Sequence, residues 1–143
     1  MLRGKLIHPE ILEALGRAGH GSKILIADGN YPFATAAAPR ARQVFLNLSP
    51  GMVKVTDVLR ALVEAVPIEA AAVMKPPGET PPIFAEFSEI LPAEVALDPM
   101  ERFAFYDAAR DDNLALLIAT GEERVYANIL LTIGVVMQQQ TGA

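Results

Sequence analysis

Short, continuous apolar runs are the feature that most limits what this chain can fold into. Residues 23–27, 70–74, 114–120 and 129–136 are each a few residues long and nearly free of charge. Runs of this kind are typical of strands that are buried on both faces of a sheet. Segments with apolar residues at helical spacing lie between several of them. This alternation predicts a single α/β domain with a mainly parallel sheet flanked by helices.

Local signals mark where the helices begin and end. Residues 8–10 (His-Pro-Glu) open a first helix, because proline is tolerated in the first turn and glutamate suits the positive end of the helix dipole. Gly16 or Gly19 ends this helix, and a second helix begins at Val55 or Thr56. The other predicted elements are a strand at 43–48, helices at 83–91 and 100–110 (the latter starting from Asp98-Pro99), and loops at 33–41 and 75–82.

The composition predicts self-association. Hydrophobic residues make up 52% of the 143 residues and charged residues only 20%, whereas typical soluble domains carry about 25% charged residues. No apolar run approaches the roughly 20 residues that are needed to cross a bilayer. We therefore expect one domain over residues 1–143, with a frayed tail at 137–143, that buries its surplus apolar surface in a homo-oligomer.

Charge and cysteine content limit the partners and the compartment. The net charge of −5 argues against nucleic acid, because phosphate binding needs clustered Lys and Arg. The absence of cysteine excludes disulfides and thiolate metal sites, and it is consistent with a reducing compartment. The N-terminus is basic but lacks an apolar signal core. We expect a cytoplasmic protein with no nucleic-acid or membrane partner.

One stretch combines a histidine with a carboxylate. Gly19-His20-Gly21 precedes an apolar run that ends at Asp28. Histidine is the side chain whose unperturbed pKa lies near neutrality, and ligands of α/β proteins bind at the carboxyl ends of strands. The stretch therefore indicates acid–base chemistry. The alternatives are that His20 caps a helix and that Asp28 only forms a turn.

Common catalytic motifs are missing from the chain. The glycines around His20 lack the spacing of a phosphate-binding loop, and they precede a strand instead of following one. Two histidines without cysteine and without a His-Glu-x-x-His pattern make a zinc site improbable. A Gly-x-Ser-x-Gly pattern is absent as well. We therefore expect neither a metal nor a cofactor.

Three stretches carry a resemblance to a known family. They read GHGSKILIAD at 19–28, RFAFY at 102–106, and TGE at 120–122 followed by YANILL at 126–131. In order and approximate spacing the chain resembles the monosaccharide mutarotases that include ribose pyranase and L-fucose mutarotase. The second stretch is similar to the fucose branch, so L-fucose or a similar pyranose is the expected sugar. Asn30 stands where some members of that branch have a histidine, which leaves the sugar open.

The resemblance implies interconversion of the α and β anomers of a free reducing sugar. One group takes the proton from the anomeric hydroxyl while another protonates the ring oxygen, so the ring opens and recloses on its other face. His20 is the implied proton-transferring group, Asp28 binds a hydroxyl or orients His20, and Arg102 donates hydrogen bonds to hydroxyls. Arg102 could instead be a surface charge at a helix N-terminus. Members of this family form ring-like assemblies without a cofactor, which implies a ring-like homo-oligomer here.

Tyr126 and Asn128 complete the expected site. They alternate with Ala127, so on a strand both would point to one face. A phenol and an amide on one face can bind sugar hydroxyls, and Tyr126 could also relay a proton; without the resemblance, a half-buried edge strand explains the pattern equally. Two other functions remain open from the sequence. One is a non-catalytic monosaccharide-binding accessory protein of a sugar transport or catabolic operon, and the other is a purely structural oligomer.

Overall fold

The structure, a computed structural model, describes residues 1–138, so the expected frayed tail lies largely outside the described residues. Helices and strands alternate along most of this part of the chain, as predicted. Their bounds, in chain order, are α1 (Pro9–Arg17), β1 (Lys23–Ala27), β2 (Arg42–Phe45), α2 (Val55–Ala65), β3 (Ile68–Met74), α3 (Ile83–Ile90), β4 (Leu97–Met100), α4 (Arg102–Ala109), β5 (Leu114–Ala119) and β6 (Ile129–Ile133).

The strands form one six-stranded sheet in the order β2-β5-β1-β6-β3-β4. The pairs β2–β5, β1–β5 and β3–β4 are parallel, whereas β6 is antiparallel to both of its neighbours, β1 and β3. The predicted mainly parallel α/β fold is therefore confirmed. Because β6 runs the opposite way, its first residue lies beside the carboxyl ends of β1 and β3.

Two apolar cores cover the two faces of the sheet. Helices α1, α2 and α3 pack on one face, against side chains such as Ile24, Ile26 and Leu131. Helix α4 and the small-residue segment 31–41 pack on the other face, against Leu25 and Leu130. Neighbouring residues of β1 point alternately into the two cores, as the pleat of a strand requires. Both faces of the sheet are thus buried, which explains why its strands read as continuous apolar runs.

One predicted helix start is wrong. Asp98 and Pro99 belong to β4, where Pro99 is paired with Val73, and the helix begins only at Arg102. A proline is compatible with this strand because β4 lies at the edge of the sheet, where the missing N–H interrupts no further ladder. The carboxylate of Glu101 caps the helix by accepting hydrogen bonds from the first turn.

Several boundaries differ from the predicted ones by a few residues. β2 ends at Phe45 instead of residue 48, because the chain then bends back, with Val53 N donating to Leu46 O. β6 ends at Ile133 instead of residue 136, and α1 ends at Arg17, between the two glycines predicted to stop it. Among residues 1–138, no helix is both long and apolar enough to cross a membrane.

Candidate functional site

A cavity of about 320 Å³ opens beyond the carboxyl end of β1. Ligands of open α/β sheets bind in this position. Asp28, Arg102, Tyr126 and Asn128 all lie in its wall, whereas His20 does not. The complete lining consists of Asp28, Asn30, Tyr31, Met74, Arg102, Tyr106, Val125, Tyr126 and Asn128.

Hydrogen bonds join Asp28 to the segment that precedes β6. Its backbone N–H donates to Oδ1 of Asn128 at 2.7 Å, and Nδ2 of Asn128 donates back to Oδ2 of Asp28 at 3.2 Å. The same Oδ2 accepts from the N–H of Ala127 at 3.3 Å, and Oδ1 accepts from the N–H of Asn30 at 3.0 Å. These contacts fix the carboxylate at the bottom of the cavity, where it is almost fully buried.

Burial raises the pKa of the Asp28 carboxyl above its ordinary value. Hydrogen bonds from the backbone of Asn30, Ala127 and Tyr31 oppose this shift without cancelling it, and the charge of Glu122 adds to it. An ionised carboxylate accepts hydrogen bonds and donates none. Toward a hydroxyl group in the cavity, the Asp28 carboxylate can therefore act only as an acceptor.

Tyr126 reaches the cavity from a turn and not from a strand. β6 begins only at Ile129, and Tyr126 has a φ of +56°, in the left-handed region. The expectation that alternation along a strand places Tyr126 and Asn128 on one face is therefore wrong. Both side chains nevertheless line the cavity, because the segment 120–128 crosses the end of β1 on its way from β5 to β6.

Arg102 stands at the start of α4, on the rim of the cavity. Its guanidinium carbon lies 5.7 Å from the ring centroids of both Phe103 and Tyr106, a cation–π geometry that holds the fork over the aromatic rings. Within residues 1–138 the guanidinium makes no ion pair. Its N–H groups therefore remain available to donate to a ligand.

Two further tyrosines form an aromatic wall. Tyr31 is buried, and its hydroxyl donates to Ala36 O at 2.6 Å. The ring of Tyr31 meets those of Phe105 and Tyr106 edge-on, with centroid distances of 6.4 and 5.7 Å. Since its hydroxyl already has a partner and burial raises its pKa, Tyr31 supports the cavity instead of transferring protons.

His20 lies at the opposite end of β1 from the cavity. The strand has five residues, so about 17 Å of strand separates the two at roughly 3.3 Å per residue. The side chain of His20 is 59% exposed, and its Nε2 lies 3.0 Å from Oε1 and 3.1 Å from Oε2 of Glu69. A histidine held by a carboxylate has a fixed ring orientation and leaves Nδ1 for a second partner.

Sequence reasoning missed three residues that bear on these two places. Glu69, the partner of His20, is the second residue of β3 and carries no local signal, since a lone glutamate in a strand is uninformative. Met74 ends β3 and lines the cavity, and the rule that sites lie at the carboxyl ends of strands could have found it. Val125 lies in the turn before Tyr126, and nothing in the sequence indicated that it faces the cavity.

The described part of the chain, residues 1–138, contains no group of three or more His, Asp or Glu side chains that could hold a metal ion. The cavity instead offers a carboxylate, an amide, a guanidinium and a phenol beside aromatic rings. Such a set can bind several hydroxyl groups of one small polar molecule. Fold and cavity together define a small α/β protein with a candidate hydroxyl-binding site at the carboxyl edge of its sheet.

The chain belongs to the RbsD / FucU transport protein family, whose profile matches residues 1–136. This confirms the resemblance seen in the sequence. Two relatives are a fucose mutarotase of Danio rerio, 30% identical over 94% of this chain and 93% of the relative, and a D-ribose pyranase of Variovorax paradoxus (strain S110), 29% identical over 94% and 98%. The solved structure of Bacillus subtilis RbsD complexed with D-ribose is 25% identical, with a TM-score of 0.81 over 96% of this chain and 100% of that one.

Proposed function

We propose that this protein is a cofactor-independent mutarotase that interconverts the α and β anomers of a free monosaccharide, L-fucose or a similar pyranose. The observation that carries the proposal is the single cavity wall shared by Asp28, Arg102, Tyr126 and Asn128. The activity named for the relatives, fucose mutarotase and D-ribose pyranase, is the chemistry that this set of groups suits.

The roles follow from what each group can donate or accept. Asp28 and Arg102 bind sugar hydroxyls and set the orientation of the ring, and Asn128 holds Asp28 in place. The phenol of Tyr126 can both donate and accept a proton, so it serves the ring oxygen or the anomeric hydroxyl. Positioned acid–base groups contribute typically about 10²- to 10⁴-fold in rate. Mutarotation already proceeds in water, so a modest acceleration of this size is sufficient.

We further propose that the active site is completed by a second copy of the chain in a ring-like homo-oligomer. His20 cannot reach the cavity of its own chain, because β1 lies between them. A neighbouring copy can bring its own His20, oriented by Glu69, to the mouth of the cavity. Exposed apolar side chains support such assembly, since Phe45, Leu48 and Met52 are 58%, 83% and 54% exposed in the single chain.

The alternative of a non-catalytic sugar-binding accessory protein rests on the same cavity without His20. Binding alone needs no titratable group near the anomeric centre, so this reading predicts saturable binding and no change in the rate of exchange. The absence of a metal or cofactor requirement and the cytoplasmic location stay predictions. The cysteine-free composition supports the location.

Exchange-spectroscopy NMR on equilibrated L-fucose, D-ribose and D-galactose tests the proposal directly. The wild-type protein is expected to speed anomer exchange of at least one of these sugars, and His20→Ala is expected to abolish the acceleration while leaving the fold intact. The matched control is His8→Asn, because His8 only accepts a hydrogen bond from Ile11 N at the start of α1 and asparagine keeps that cap. Saturable binding with uncatalysed exchange would favour the accessory protein instead.

A further inference from the structure

Hydrogen bonds to β1 and to the residues that follow it fix both ends of the connection between β5 and β6, but not its middle. At its start, the hydroxyl of Thr120 donates to Ala27 O at 2.7 Å, and Gly29 N donates to Glu122 O at 2.9 Å. At its end, Ala127 N donates to the carboxylate of Asp28. Residues 125–126 form a turn, and within residues 1–138 no backbone hydrogen bond joins residues 123–126 to a neighbouring element. Side-chain contacts therefore hold this turn against the rest of the protein.

Arg124 supplies these side-chain contacts. Its Nε and Nη2 donate to the two carboxylate oxygens of Glu122 at 2.8 and 3.1 Å, and its own backbone N–H donates to the same carboxylate at 3.2 Å. Its Nη1 donates to a carboxylate oxygen of Glu86 in α3. Glu122 in turn accepts from the N–H of Val55 at the start of α2, at 3.2 Å. Arg124 thus ties the connection to α3, and Glu122, which Arg124 holds in place, ties it to α2.

The charges in this cluster are strongly coupled. Burial favours the protonated form of Glu122, but the hydrogen bonds and charge of Arg124 outweigh it and hold the pKa of Glu122 below its ordinary value. Only arginine has a planar fork for one carboxylate and a further N–H group for another. A lysine at this position could serve one carboxylate at a time.

The turn that Arg124 holds includes Tyr126, two residues along the chain. The φ of +56° at Tyr126 lies in a region that residues other than glycine rarely adopt. Val125, between them, is 62% exposed and has little packing of its own. The backbone conformation of Tyr126, which brings its phenol to the cavity, is therefore intrinsically unfavourable. It depends on contacts made by neighbouring residues.

We propose that Arg124 is a positioning residue for Tyr126: by joining Glu122 and Glu86, it holds the turn that directs the phenol into the sugar cavity. Arg124 is not part of the cavity wall. Its effect on catalysis passes through Tyr126. The proposal rests on the proposed function, because the proton-transferring role of Tyr126 belongs to it.

A double-mutant cycle tests whether Arg124 acts through Tyr126. Arg124→Ala is expected to lower kcat for anomer exchange by roughly ten- to a hundredfold, the effect of a small misplacement of a reacting group, with a smaller change in KM. In a Tyr126→Ala background, the same substitution is expected to leave the residual kcat and the Kd for L-fucose within about twofold. Arg124→Lys should restore only part of the loss. Equal losses in both backgrounds would overturn the proposal.

A second readout does not depend on catalysis. In the ligand-free protein, Arg124→Ala is expected to shift the NMR ring signals of Tyr126 and to speed hydrogen exchange at the Ala127 amide. Glu86→Gln should shift the same signals in the same direction by less. Glu89→Gln, an exposed change on the same helix, is the matched control and should leave them in place.

Together, these two readouts distinguish failure of the proposed function from failure of the positioning role of Arg124. A wild-type protein that accelerates no sugar exchange, but in which the Tyr126 signals respond to Arg124→Ala, overturns the proposed function and leaves Arg124 as the residue that positions the turn. Tyr126 signals that stay fixed in Arg124→Ala overturn the positioning role, whatever the activity. All variants are compared below their own melting temperatures, so that loss of fold is not read as loss of position.

Discussion

At the scale of single residues, Asp28 shows how a buried carboxylate can serve a binding site. Its hydrogen bonds to Asn128, Ala127 and Asn30 hold it in one position. Burial nevertheless raises its pKa, which makes the carboxylate a better acceptor than an exposed one. Because the carboxylate is already oriented, little conformational entropy would be lost when a ligand hydroxyl donates to it.

Two of the three cavity tyrosines, Tyr126 and Tyr31, are expected to respond differently to loss of their hydroxyl groups. Tyr126→Phe removes the phenol that we assign to proton transfer, so kcat for anomer exchange should fall by about 10²-fold or more with a modest change in KM. Tyr31→Phe removes a hydroxyl that is bonded to Ala36 O. It should therefore lower the free energy of unfolding by about 1 kcal/mol.

Exchange NMR and chemical denaturation of both variants check this contrast. The assignment of the reacting phenol fails if Tyr126→Phe keeps the wild-type rate. It also fails if Tyr31→Phe loses as much kcat as Tyr126→Phe while both remain fully folded.

At the scale of elements, Glu122 joins the β5–β6 connection to the start of α2. Its carboxylate accepts from Val55 N, one of the donors that the first turn of a helix leaves without a partner. It also carries a negative charge at the positive end of the helix dipole. The buried carboxylate of Glu122 thus accepts hydrogen bonds both from the first turn of α2 and from Arg124 in the connection.

The stability of this junction should depend on pH in acid. The pKa of Glu122 is lower in the folded protein than its ordinary value of 4.5, so its stabilising contribution is present above that pH and is lost as the pH falls through the folded pKa. Glu122→Gln should therefore lower stability at neutral pH and flatten the acid limb of the stability curve. Urea denaturation between neutral pH and acid measures both.

Glu123→Gln is the control for this prediction, because Glu123 is the exposed neighbour in the same segment. An acid limb that stays as steep in Glu122→Gln as in the wild type would mean that another carboxylate controls it.

Elements differ in how much of them the sequence could predict. The central strands were predictable because burial on both faces makes them continuous apolar runs, as in β1 and β5. β4 was not predictable, because an Asp-Pro pair such as Asp98-Pro99 is also typical of a helix start. A proline is tolerated in β4 only because this strand lies at the edge of the sheet. Asp28 and Arg102 could be placed at the cavity, but the turn at Tyr126 depends on side chains from distant elements.

At the scale of the whole molecule, we propose that one chain presents two separate parts of a site, each incomplete without a second copy. The cavity lies at the carboxyl edge of β1, and the His20–Glu69 pair lies at the other end of the same strand. Both are open to solvent in the single chain. A closed assembly of identical copies can bring unlike patches together at every interface, so each copy would give its histidine to one neighbour and its cavity to another.

Complementation between variants tests this arrangement. His20→Ala and Tyr126→Phe should each be inactive alone, and refolding them together should restore activity at about one site in four, where an intact histidine meets an intact tyrosine. The control is the double variant His20→Ala/Tyr126→Phe refolded with His20→Ala, which should stay inactive. No recovery in mixed assemblies would mean that His20 of one copy does not complete the cavity of another.

The place of β6 in the sheet has a consequence for how the protein folds. β6 alone joins the β2-β5-β1 part of the sheet to the β3-β4 part, and it pairs with β1 across about a hundred residues of sequence. Such distant partners meet only after a large loop has closed, which slows folding. During synthesis the two parts of the sheet stay separate until β6 is available for pairing. We therefore expect the complete native sheet to form only after β6 has left the ribosome.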